Sequence, residues 1–195
     1  MQKIELEIVA LSHSITQSNS YAVILGEVGG SRRLPIVIGG FEAQAIAVAL
    51  ENMHPSRPLT HDLMKNFMSS FDIGLQEVYI CDLQEGIFYS KLVCYTANDT
   101  IEIDSRTSDA LALAVRFGCP IFVHESILAQ AGLAGENASI APAANLQPDN
   151  AVANDSLSNL SIAELNELLN EVLEQEDYIR AIDIRDEIAK RNASK

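Results

Sequence analysis

The pattern that most restricts the fold of this chain occurs twice: a strand, a two-strand hairpin, a polar junction, an Ala-rich helix and a proline. In the first copy Ile4-Glu-Leu-Glu-Ile8 alternates with period two, so Ile4, Leu6 and Ile8 face one way and Glu5 and Glu7 face water. Tyr21–Leu25 and Leu34–Ile38 are β-branched runs, and the glycines of Gly26–Arg33 between them suit a hairpin turn. Gly39-Gly40 then breaks the strand. Ala43, Ile46, Leu50 and Met53 recur at helical spacing, which predicts a helix with one buried face, stopped by His54–Pro58. The second copy has strands at Val78–Cys81, Ile87–Tyr95 and Ile101–Ile103, an Ala/Leu helix from Asp109, and a final strand at Ile121–Val123. Hairpin loops this short make neighbouring strands antiparallel. The expected class is therefore α+β, with a mainly antiparallel sheet built of two similar strand-hairpin-helix units. Glu42-Ala43 in the first junction corresponds to Asp109-Ala110 in the second. Internal duplication and convergence of two amphipathic units both account for the likeness.

The helix ends carry their own signals. Thr107 or Ser108 is expected to cap the helix of the second copy, Asp109 lies in its first turn where the macrodipole favours a carboxylate, and Gly118 followed by Pro120 ends it. Arg106 just before that cap is unusual, because a cation at the positive end of a helix is unfavourable unless an anion sits there too. Between the copies, Thr60 is expected to cap a further helix, with Asp62 in its first turn, Leu63, Phe67 and Phe71 on its inner stripe, and Gly74 at its end.

Beyond residue 131 the character changes. Residues 132–158 are rich in Ala, Asn, Gly, Pro and Ser without one Lys or Arg, and read as a linker spanning ~30 Å as a flexible coil. Residues 159–195 then read as an α-helical hairpin. Ser161-Ile-Ala-Glu164 is a capping box, Leu165, Leu168, Leu169, Val172 and Leu173 form a stripe, and a second helix from Asp177 places Tyr178, Ala181, Ile182 and Ile188 against it. Two such short helices leave apolar side chains exposed, so a partner is expected: a twin, the main domain (residues 1–131) or another protein.

Charge limits the function classes. The net charge is −14, with 8 Lys/Arg against 15 Asp/Glu in residues 1–130 and 5 against 12 in residues 131–195, so neither part is the basic footprint of an electrostatic nucleic-acid binder. Any phosphate chemistry must be local or metal-assisted. There is no apolar run long enough for a membrane span, and the first residues alternate charge with apolar groups unlike a signal peptide, so a cytoplasmic address is expected. Cys81, Cys94 and Cys119 have no paired spacing and read as reduced buried thiols.

No Walker loop, GxSxG, HExxH or cysteine cluster occurs in the sequence. The candidate site is distributed instead. Glu42, Asp62 and Asp109 each fall at a helix start, His61 neighbours one of them, and Arg57 and Arg106 lie just upstream. If these starts converge, the three carboxylates would hold Mg²⁺ or Mn²⁺ through oxygen ligands, the arginines would grip phosphate, and His61 would be a candidate general base. The plainer reading is that the carboxylates complement helix dipoles and pair with the arginines.

Three blocks, Leu34-Pro-Ile-Val-Ile-Gly-Gly-Phe-Glu-Ala43, Arg57-Pro-Leu-Thr-His-Asp-Leu63 and Ser105-Arg-Thr-Ser-Asp-Ala-Leu-Ala-Leu-Ala114, resemble those of the bifunctional nuclease family over about residues 1–131. The resemblance implies an α+β domain, often dimeric, with DNase and RNase activity in some members. By motif it points to Glu42, Arg57, Thr60, His61, Asp62, Arg106, Ser108 and Asp109. The tail Glu176–Ile188 resembles the helical-hairpin UVR motif of bacterial excision-repair proteins, which implies a protein-interaction module; Ile179 and Ile182 depart from its pattern. Two functions follow as expectations. One is a divalent-metal nuclease acting on DNA or RNA as a homodimer or higher oligomer. The other is a non-catalytic adaptor or dimeric scaffold that recruits a partner through residues 159–195.

Overall fold

The computed structural model describes residues 2–13, 20–134, 160–174 and 178–193. The chain divides into two compact units, Met1–Ala141 and Pro142–Lys195. In the first unit seven strands form one sheet: β1 (Lys3–His13), β2 (Ser20–Glu27), β3 (Arg33–Gly39), β4 (Gly74–Gln84), β5 (Ile87–Tyr95), β6 (Thr100–Arg106) and β7 (Ile121–His124). Their order is β3-β2-β1-β7-β4-β5-β6, and every neighbouring pair is antiparallel except β4 with β7. The two copies seen in the sequence are thus two three-strand meanders joined through β7, and the α+β reading with a mainly antiparallel sheet holds.

The register of the two long strands β1 and β4 shifts between Ile8 and Ala10, between Leu75 and Glu77, and between Ile80 and Asp82. Such bulges bend a strand and increase its twist. The bending has a clear outcome: the outermost strands β3 and β6 line one and the same cleft of about 500 Å³.

Helices α1 (Gly40–Leu50) and α3 (Thr107–Phe117) follow the two edge strands and pack on each other. Ala43, Ala45, Ile46, Ala47 and Val48 of α1, and Ala110, Leu111, Ala112, Leu113 and Ala114 of α3, are all buried. The helix expected to bury one face therefore buries several. Leu50 is exposed instead, and Met53 lies beyond the helix, which ends at the Glu51-Asn52 turn before the prolines. Gly118 takes the left-handed conformation (φ 67°) and donates to the Ala114 carbonyl, so α3 ends where expected.

Helix α2 (Thr60–Ser70) corrects the sequence reading. Leu63, Phe67 and Phe71, read as its inner stripe, are 63, 58 and 64 % exposed, and Phe67 and Phe71 stack only on each other with ring centroids 4.8 Å apart. The inner face is polar: Asp62 Oδ1 accepts from Arg116 Nε at 2.6 Å, and Lys65 donates to the Arg116 carbonyl and lies over the Phe117 ring. Met68 is the buried apolar residue of the helix. Polar docking turns the apolar stripe outward.

The caps differ too. Leu59, not Thr60, is the N-cap of α2, and its N–H donates to Asp62 Oδ2 at 2.9 Å. Arg106 occupies the N-cap of α3, while the Thr107 hydroxyl is buried against Ser90 Oγ (2.7 Å) and the Phe88 carbonyl (3.0 Å). Gly74 opens β4 rather than ending α2, whose C-cap is Phe71. Helix α4 (Glu125–Ala131), unmarked in the sequence reading, buries Ile127 and Leu128 and returns the chain so that Leu133 pairs with Arg33 at the start of β3. Arg32 there bonds Glu27 and Glu125 together. The three cysteines are free thiols, and burial pushes Cys119 up to about 11. Among the described residues no helix is long and apolar enough to cross a membrane.

The second unit contains α5 (Ile162–Glu174) and α6 (Tyr178–Ala193). Ser161 and Glu164 form the expected capping box through reciprocal bonds of 2.7 and 3.3 Å. Leu165, Val172, Ala181 and Ile184 make a buried core, with Leu160, Leu168, Leu169 and Ile188 packed on it. Ile184, unassigned in the sequence reading, is inside, while Ile182 is half-buried. The seam closes on itself rather than staying open. Of the stripe residues only Leu173 is exposed among those described. The linker expected over 132–158 lies from residue 135 onward outside the described residues, as do Glu176, Asp177 and the Tyr178 side chain.

Replacing Thr60, an exposed first-turn residue, by Ala is expected to change unfolding free energy by less than about 0.5 kcal/mol. Asp62→Ala removes both the cap and the partner of a buried guanidinium and is expected to cost about 2–3 kcal/mol. Urea denaturation checks both. Equal losses would mean that Thr60 holds α2 after all.

Candidate active site

Four of the residues singled out in the sequence converge where α1, α2 and α3 begin. Glu42 comes from the first turn of α1, His61 from the first turn of α2, and Arg106 and Asp109 from the β6–α3 junction. The Arg106 guanidinium joins them: Nη1 donates to Glu42 Oε1 (2.9 Å), Nε to Asp109 Oδ2 (2.7 Å) and Nη2 to Asp109 Oδ1 (3.1 Å). His61 Nε2 lies 3.0 Å from the same Asp109 Oδ1. The cation before the helix is thus answered by carboxylates from both copies of the repeated unit. The plainer reading of the sequence is fulfilled to this extent by Arg106.

Exposure separates the roles. The Arg106 side chain is 68 % exposed, while that of His61 is 13 % exposed and those of Glu42 and Asp109 are half-buried. Burial alone would raise the Asp109 carboxyl, but hydrogen bonds from Arg106 and His61 outweigh it and hold the group below the ordinary carboxylate range. An ionised carboxylate only accepts hydrogen bonds, so His61 Nε2 carries the proton of that contact and Nδ1 is the basic nitrogen of the neutral ring. Arg106, in turn, is pushed up, first by its bonds to Asp109 and then by Glu42. It has five N–H donors, three of which make the bonds above, so among the described residues two remain on its terminal nitrogens.

Asp62 is not part of this group. Successive residues of a helix point about 100° apart. With His61 turned to Asp109, Asp62 faces Arg116, and both of its oxygens are taken by Arg116 and the Leu59 N–H. Burial would raise its carboxyl, yet Arg116 and Leu59 together hold it low. Arg57 is exposed in the loop before α2, outside the network, and Thr60 is exposed. Ser108 lines the cleft beside Arg106. Among the described residues no three His, Cys, Asp or Glu side chains are grouped to hold a metal ion. Glu42 and Asp109 share a guanidinium, and Asp62 is committed elsewhere, so the donor set does not fit the expected Mg²⁺ or Mn²⁺ cage.

The sequence reading missed Arg116. Its side chain is 5 % exposed, and besides Asp62 it donates from Nη1 to the carbonyls of Ala45 (2.9 Å) and Ala112 (3.0 Å). Its signal was weak, since an arginine in the last turn of a helix reads as a dipole partner.

Both Asp62 and Asp109 have folded values below their ordinary 3.8. A depressed carboxylate contributes stability that is complete above the unfolded value and is lost as pH falls through the folded one. The urea midpoint is therefore expected to hold at neutral pH and to drop below about pH 4. Asp62→Asn, which keeps the shape, is expected to shrink that drop, and an undiminished drop would remove Asp62 from the account.

Comparison with known proteins places the chain in a family. The profile of the bifunctional nuclease domain matches residues 23–136, a span that holds Glu42, His61, Arg106 and Asp109. An uncharacterized protein of Mycobacterium tuberculosis is 46 % identical over 115 residues, covering 59 % of this chain and 68 % of that protein. Bifunctional nuclease 2 of Oryza sativa subsp. japonica is 30 % identical over 116 residues, covering 55 % of this chain and 34 % of its own length. A bifunctional nuclease of Oryza minuta is 29 % identical over 119 residues, 58 % of this chain and 35 % of that protein. The chain thus spans about a third of these plant relatives. By the match over more than half its length, the chain belongs to the bifunctional nuclease domain family.

Proposed function

We propose that the chain is a nuclease hydrolysing phosphodiester bonds of DNA or RNA, with Arg106 holding the phosphate and the His61–Asp109 pair moving the proton. The observation that carries this reading is the 3.0 Å contact of His61 Nε2 with Asp109 beside a guanidinium that keeps two outward donors. Those donors suit two phosphate oxygens, and the charge that develops on them in the transition state is stabilised by the same group. His61 Nδ1 takes the proton of the attacking water or hydroxyl as its oxygen bonds to phosphorus, Asp109 stabilises the imidazolium that forms, and the P–O bond to the leaving oxygen breaks, that oxygen taking its proton from solvent water. Glu42 holds Arg106 from the other side. The named relatives support the substrate class.

Divalent-metal dependence remains part of the reading only as something for assay, because the carboxylates are engaged by arginines. The reading as a non-catalytic scaffold keeps one observation in its favour: the charge of Arg106 is already answered by Glu42 and Asp109. The UVR-like hairpin is read as a protein-interaction module working through its outer surfaces, since its seam is filled by its own side chains. Self-association is read at the exposed Leu63, Met64, Phe67 and Phe71 stripe, since the apolar residues Ala45–Val48 of α1 are inside. Three free thiols agree with a cytoplasmic address.

Purified full chain is expected to cut labelled oligonucleotides, and His61→Ala and Asp109→Asn each to lower kcat/KM by roughly 10²–10⁴. Arg106→Lys keeps the charge but loses the two-pronged grip and is not expected to restore the rate. Chelator added in parallel tells whether a metal takes part. Variants as fast as wild type would sink the enzymatic reading.

A further inference from the structure

We infer that the cleft between the two sheet edges takes an unpaired nucleotide, so that the substrate is single-stranded nucleic acid rather than duplex; this rests on the nuclease reading of Arg106. The cleft of about 500 Å³ is continuous with the site, since Glu42 and Arg106 line it together with Ile38, Phe88, Tyr89 and Ser105. That volume suits one small-molecule-sized group. Its walls belong to β3 and β6, the terminal strands of the sheet, together with Gly86–Tyr89 at the start of β5. A terminal strand presents a row of unpaired N–H and C=O groups. A base can bond to such rows only with its own pairing edge free, which a duplex does not offer.

Tyr89 supplies the second requirement. It stands directly opposite Arg106 in the β5–β6 register, so the two side chains leave the same face of the sheet, and it is 38 % exposed. An aromatic ring beside a guanidinium is the arrangement that stacks a base while holding its phosphate. Charge gives the same answer. A duplex brings one phosphate per ~1.7 Å toward a protein of net charge −14, whereas a single strand brings half that density and can bend so that one phosphate meets the two free donors of Arg106.

The test uses the full chain with His61→Ala, which leaves the cleft lining intact, and reads fluorescence anisotropy with a short DNA and the RNA of the same sequence, each single-stranded and as a hairpin duplex. Cleavage of the same four probes is followed with wild type. Binding of single strands at least roughly ten-fold tighter than duplex, weakened by a similar factor in Tyr89→Ala and restored in Tyr89→Phe, is the expected result. The DNA and RNA arms show which single strand is preferred. Duplex bound and cut as well as single strand overturns the inference while leaving the nuclease reading intact. Selective single-strand binding without cleavage supports the inference and removes the nuclease reading. No binding of any probe overturns it. The comparison of strands needs no Tyr89 variant, so it decides even if Tyr89→Ala fails to fold.

Discussion

The guanidinium of Arg116 is held at once by a carboxylate of α2 and by backbone carbonyls of α1 and α3, and the arrangement of the three helices depends on it. A buried arginine is tolerated only with its charge answered and its donors bonded. Asp62 answers the charge, which fixes the rotation of α2 about its own axis. With Asp62 committed to Arg116, His61 faces Asp109, and the His61–Asp109 contact is set by a residue that belongs to neither member of it. One nitrogen, Nη2, finds no partner for its two N–H groups among the described residues. The other three N–H groups are all bonded, one to Asp62 and two to the carbonyls of Ala45 and Ala112, and they suffice to tie the three helices together.

The bent sheet does the remaining work. An open seven-strand sheet would leave β3 and β6 far apart, and α1 and α3, which follow them, would begin at opposite ends of the molecule. Bulges in β1 and β4 bring the edges to one cleft, so two helix starts from different copies of the repeated unit meet at Arg106. Alanines at 43, 45 and 47 and at 110, 112 and 114 let α1 and α3 lie close against each other and the strands. Glu42 and Asp109, equivalent in the repeat, become the two anions on either side of one cation.

Much of this was legible from the residues. Period-two alternation marked the first strand and β-branched or apolar runs marked the others, though strands extend beyond the marked runs: Ile4–Ile8 is the centre of Lys3–His13. Ile87–Tyr95 was read to its ends because turns bound it on both sides, with Glu85 and Gly86 at positive φ. Four of the six residues read as catalytic meet. The orientation of α2 was not legible. A stripe of Leu63, Phe67 and Phe71 reads as an inner face wherever apolar burial decides docking, and here ion pairs decide it. Asp62 stands apart from the other four for a related reason, because adjacency in sequence is divergence on a helix. Helix α4 has seven residues, too few to show a period.

The polarity of the α2 docking surface has a further consequence. An element held by ion pairs and hydrogen bonds, with Met68 as its buried apolar side chain, has little hydrophobic free energy tying it to the rest, whereas the Ala-packed helices and sheet have a great deal. Salt, acid or mild heat would thus free α2 in a sub-global opening while the sheet and its two inner helices persist. In that opened form His61 leaves Asp109 although most of the secondary structure survives. The His61–Asp109 contact and the fold would then have separate melting points, with His61 riding on the part that lets go first.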